Sequence, residues 1–69
     1  MTPVMLRQLW ALVENTQAPL LLNKDDPSLV EWLLRQMSDR CSLEARETEL
    51  LSAYIRSKTS LIRDLAAQR

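Results

Sequence analysis

The 69 residues contain no histidine, no glycine and one cysteine, and nine lysines and arginines balance nine acidic residues. These counts exclude an internal disulfide, a zinc site of Cys and His ligands, a glycine-rich phosphate loop, and any global attraction to nucleic acid or acidic lipid. Hydrophobic residues make up 46% of a chain short enough to hold one core at most, and without glycine the tight turns of β-hairpins lose their usual residue, so residues 1–69 read as a single all-α domain.

The first helix is expected over residues 3–16. Thr2 can cap its free amides, and Pro3 suits the first helical position because its missing N–H has no partner to lose there. Met5, Leu6, Leu9, Leu12 and Val13 recur at three-to-four-residue spacing and make one face, with Trp10 on its flank and Arg7, Gln8 and Glu14 largely opposite. Pro19 disfavours a helical Ala18, so the helix should end near Asn15 to Gln17. Residues 16–26 form a long connection. Its three successive leucines, Leu20, Leu21 and Leu22, should lie as a strap against the helices, either extended or as a short helical turn, because exposing them is unfavourable.

A second helix is expected over residues 28–41, capped either by Asp26 before Pro27 or by Ser28 in a capping box with Glu31. Val30, Leu33, Leu34, Met37 and Cys41 fall in one stripe, widened by Leu29 and Trp32. Ser42 offers a cap for a third helix over residues 43–67, with Glu44 in its first turn. Here the apolar residues fall in two neighbouring columns: Leu43, Leu50, Tyr54, Leu61 and Leu65 in one, Leu51, Ile55 and Ile62 in the other. So broad a face implies two neighbours. The polar run from Arg56 to Ser60 interrupts both columns, and a break at residues 58–60 would make the three-helix bundle one of four helices.

Catalysis is not expected. Without histidine, general acid–base work would fall to carboxylates or lysines, and Lys24 and Lys58 stand in polar surroundings. Cys41 lies on an apolar stripe, as a structural thiol does. No metal, cofactor or small-molecule site is expected. No apolar run reaches the ~20 residues of a membrane span, and the N-terminal segment lacks the pattern of a signal peptide, so the chain is expected in the cytoplasm. The apolar faces exceed what three short helices can hide from each other, which predicts a homodimer or a complex with another protein. The residues expected at that interface are Leu51, Ile55 and Ile62, with Trp10 and Trp32 as aromatic anchors. The function so predicted is that of a protein-interaction module or small regulatory adaptor.

Two resemblances bear on this. The decapeptide Arg56-Ser57-Lys58-Thr59-Ser60-Leu61-Ile62-Arg63-Asp64-Leu65 resembles the turn and second-helix start of ribbon-helix-helix repressors and, more loosely, the recognition helix of helix-turn-helix proteins. That resemblance implies a small DNA-binding regulator in which Arg56, Ser57, Lys58, Thr59, Ser60 and Arg63 meet the phosphate backbone. The order of residues 29–37, 50–55 and 61–65 is similar to small uncharacterised helical proteins of cyanobacteria, which implies a cytoplasmic helical protein and no mechanism.

Overall fold

A computed structural model describes residues 2–68, which form four helices and, among the described residues, no strand. The helices are α1 (Pro3–Asn15), α2 (Ala18–Leu22), α3 (Asp26–Arg40) and α4 (Ala45–Ala67). The all-α bundle expected from a glycine-free, leucine-rich chain is the fold observed.

α1 starts as its sequence dictates: Thr2 Oγ1 accepts the Met5 N–H at 3.2 Å, with Pro3 behind it. It ends where Thr16 turns extended, at φ −85° and ψ 138°. The Thr16 hydroxyl donates back to the Leu12 carbonyl at 2.7 Å, and its N–H is shared between the Leu12 and Val13 carbonyls. These bonds satisfy the buried helix end from within. The break forced by Pro19 falls earlier than Ala18: Thr16 and Gln17 are the extended residues, and Ala18 already belongs to α2. Of the leucine strap only Leu21 is fully buried, while Leu20 and Leu22 are exposed.

Both later helix starts differ from expectation by a short step. α3 is capped by Asp25, whose Oδ1 accepts the Ser28 N–H at 2.9 Å, and Asp26 and Pro27 are already inside the helix. With Pro27 lacking an N–H, Ser28 supplies the amide that a cap can reach, and it lies three residues after Asp25. α4 is capped by Glu44 rather than Ser42, and Glu47 Oε1 reaches back to the Glu44 N–H at 3.2 Å. Cys41 leaves the α3 stripe as its extended C-cap residue. It is half-buried, and its thiol donates to the Met37 carbonyl at 3.4 Å.

α4 runs unbroken through residues 58–60. Its hydroxyls do not compete the helix apart, because they donate to carbonyls one turn back: Ser57 to Tyr54 at 2.7 Å and Thr59 to Arg56 at 3.3 Å. Ile55 and Ile62, either side of this stretch, are both sealed in the core.

That core comprises Leu9, Leu12, Val13, Leu21, Leu29, Val30, Leu33, Met37, Leu51, Ile55, Ile62 and Ala66, so all four helices contribute. α3 lies antiparallel on α4. At one end Arg63 pairs with Asp26 at 2.6 Å, and at the other Ser38 and Asp39 share a surface hollow with Leu43 and Thr48. α2 packs on α4 as well, and α1 lies across α3 and α4 with a thinner contact than these two. Asp26 is largely exposed, so its ion pair contributes at most about 1 kcal/mol and the apolar core holds the bundle.

Leu33→Ala should cost about 2–5 kcal/mol. That is most of the stability available to a domain of this size, so the variant should be largely unfolded in a urea titration. Ile55→Val should cost about 1 kcal/mol, and Leu20→Ala on the exposed side of α2 should stay within about 0.5 kcal/mol of the parent. The Asp25 carboxyl is held below its ordinary pKa of 3.8 by hydrogen bonds from the Ser28 hydroxyl and backbone N–H. A lowered folded-state pKa means stability that is present above 3.8 and lost as pH falls through the lower folded value. Asp25→Ala should therefore lower Tm at pH 7, and the gap from the parent should close in acid.

Candidate interaction surface

The two apolar columns of α4 part company in the structure. Leu51, Ile55 and Ile62 face inward and are fully buried, continued by Thr59 and Ala66 at 7% and 1% exposure. The interface expected from these three residues is corrected: they seal the chain's own interior and are not presented to a partner. The outward column is the other one, in which Leu50, Leu61 and Leu65 remain 46%, 45% and 37% exposed. A sequence signal for this existed. Residues 51, 55, 59, 62 and 66 form an uninterrupted ladder of three- and four-residue steps once Thr59 is counted with it, as one side of a helix against a core requires.

Tyr54 belongs to the outward column and joins it to α1. Its hydroxyl accepts the Trp10 indole N–H at 3.1 Å, and the two rings meet edge to face with centroids 6.4 Å apart at 81°. Lys58 holds its ammonium 5.9 Å from the centre of the Tyr54 ring. Beyond Trp10, the outer face of α1 forms a broad, open groove with Val4, Leu6, Arg7 and Glu14 among its walls and Tyr54 at its edge. Gln8 also lines it, and its amide oxygen is screened from solvent with no hydrogen-bond partner, which is unfavourable for a buried acceptor.

The two tryptophans expected as anchors are both half-buried and packed against the core. They are not brought together. Trp10 is tied to Tyr54 and lines the groove, whereas Trp32 on α3 lies beneath the Lys24 ammonium, 5.4 Å from the ring centre. Trp10 thus opens onto the α1 groove, while Trp32 is partly covered by the chain's own cation.

The segment of residues 56–63 lies in the middle of α4 rather than at a helix start. Its backbone amides are inside a continuous helix, so the free amides that would bind phosphate at a helix start are not offered here. Successive residues also point around the helix. Arg56, Ser57 and Ser60 are exposed, Lys58 is half-buried over Tyr54, Thr59 is buried, and Arg63 is paired to Asp26. These six residues do not share one face.

Among the described residues, no helix is long and apolar enough to cross a membrane. Compared with protein-family models, curated proteins and solved structures, the chain matches none.

Tyr54→Phe removes the acceptor of the Trp10 indole N–H and should cost about 1 kcal/mol. An upfield shift of the Trp10 indole proton, with the Trp32 indole unmoved, would mark the loss as local.

Proposed function

We propose that this chain is a small, non-catalytic protein-interaction module or regulatory adaptor of the cytoplasm, and that it engages its partner through the outer stripe of α4. The observation that carries the reading is the contrast between the two columns. The inner one is sealed, yet Leu50, Leu61 and Leu65 in the neighbouring column of the same helix stay roughly two-fifths exposed. Scattered single leucines on a surface need no explanation. Three in one stripe, with an aromatic between them and an open groove beside it, are what a docking helix or groove requires. Covering leucines that are already half-buried would contribute on the order of 1 kcal/mol each.

A photo-reactive amino acid placed at Leu61 tests this in cells expressing the full chain, with the same group at exposed Glu31 on the outer face of α3 as the control. The reading expects discrete protein adducts from position 61 and few from position 31. Equal labelling from both, or none from either, would remove it. A gel shift with duplex DNA at low salt tests the alternative of DNA contact through residues 56–63. Binding that weakens steeply with added salt, and is lost in Arg56→Ala, would favour the regulator instead.

A further inference from the structure

Taking the outer stripe of α4 as the docking face, we propose that its occupant is a second copy of this chain, paired with it antiparallel about a two-fold axis that passes beside Ser57 and Lys58. An interface between identical copies must be complementary to itself, so each residue on the patch needs a suitable residue at the mirrored position. The stripe meets that condition along its length. Leu50, Tyr54, Leu61 and Leu65 are separated by four, seven and four residues, a spacing that reads the same in both directions. Pairing about the midpoint sets Leu50 against the partner's Leu65 and Tyr54 against the partner's Leu61. Small, exposed Ser57 lies near the crossing, where two helices approach most closely.

Charge selects the direction. Residues 44–57 carry Glu44, Glu47 and Glu49 against Arg46 and Arg56, whereas residues 58–68 carry Lys58 and Arg63 against Asp64. Arg63 is already paired with Asp26, which leaves Lys58 and Asp64 to cancel, so antiparallel pairing lays the net-negative half of each helix on the neutral half of the other and opposes the helix dipoles. Parallel pairing would match like with like. The two Lys58 ammonium groups near the axis form a repulsive pair, and each is already drawn over its own Tyr54 ring.

Area sets the extent. A specific interface buries about 800 Å² per partner, roughly a sixth to a fifth of the 4548 Å² surface of this chain. The stripe alone is one helix wide, so the interface must spread across Tyr54 into the α1 groove, where Trp10, Leu6 and Val4 continue it.

Light scattering on the full chain should give twice its 8.0 kDa mass, and Leu61→Glu should restore the single mass with helicity unchanged. In a Cys41→Ser background, Ser57→Cys should be joined to its twin by a short bifunctional thiol reagent. Gln68→Cys should not, because antiparallel pairing puts the two positions about 30 Å apart. A single-chain mass at millimolar concentration overturns the proposal, and so does joining at position 68 as readily as at 57, which would mean parallel helices. Adducts from position 61 to a different protein, with the chain itself remaining single, would overturn self-pairing while leaving the docking stripe standing. Failure of both experiments removes both readings.

Discussion

The packing of α3 along α4 is the constraint on which the other elements depend. Leu29, Val30, Leu33 and Met37 on one helix meet the ladder of Leu51, Ile55, Thr59, Ile62 and Ala66 on the other. The seal is tight enough that most of these side chains are lost to solvent entirely. Once α4 is held along this ladder, three results follow. The helix passes unbroken through its serine- and threonine-rich middle, Arg63 comes within reach of Asp26, and the second apolar column is turned outward. α2 and α1 then close the remaining sides, α2 with the single side chain of Leu21 and α1 with Leu9, Leu12 and Val13.

The starts of α1, α3 and α4 and the end of α1 are closed by local polar side chains rather than by a special backbone geometry. Thr2, Asp25 and Glu47 accept amides at three starts, and Thr16 closes one end. Among the described residues no backbone torsion enters the left-handed region, which is how a chain without glycine makes its reversals. The residues that turn the chain, such as Gln17 and Cys41, do so in extended conformations open to almost any residue.

Class and the positions of α1, α3 and α4 were legible because their apolar residues repeat with the helical period, whereas the fourth helix is the short α2 within the leucine strap. Three features were not. The cap of α3 slipped to Asp25 because two adjacent aspartates and a serine all satisfy the same pattern, and only the missing N–H of Pro27 distinguishes them. Thr59 hid the inner ladder of α4, since it is counted as polar in a sequence yet buries its methyl once its hydroxyl donates one turn back. The alternative of a break at residues 58–60 rested on the same hydroxyls, and the continuous helix decides against it. At the candidate surface, the two columns of α4 are equally apolar, so which one faces the core depends on where α3 lies, and that is information from another part of the chain.

The extended connections have a consequence for how such a molecule changes over generations. Because its bends ask for no particular amino acid, substitutions there can accumulate almost freely, and the shape is remembered by the intervals between large aliphatic residues and by a few capping oxygens. Descendants of this chain would keep the rhythm of their leucines long after they ceased to share its letters.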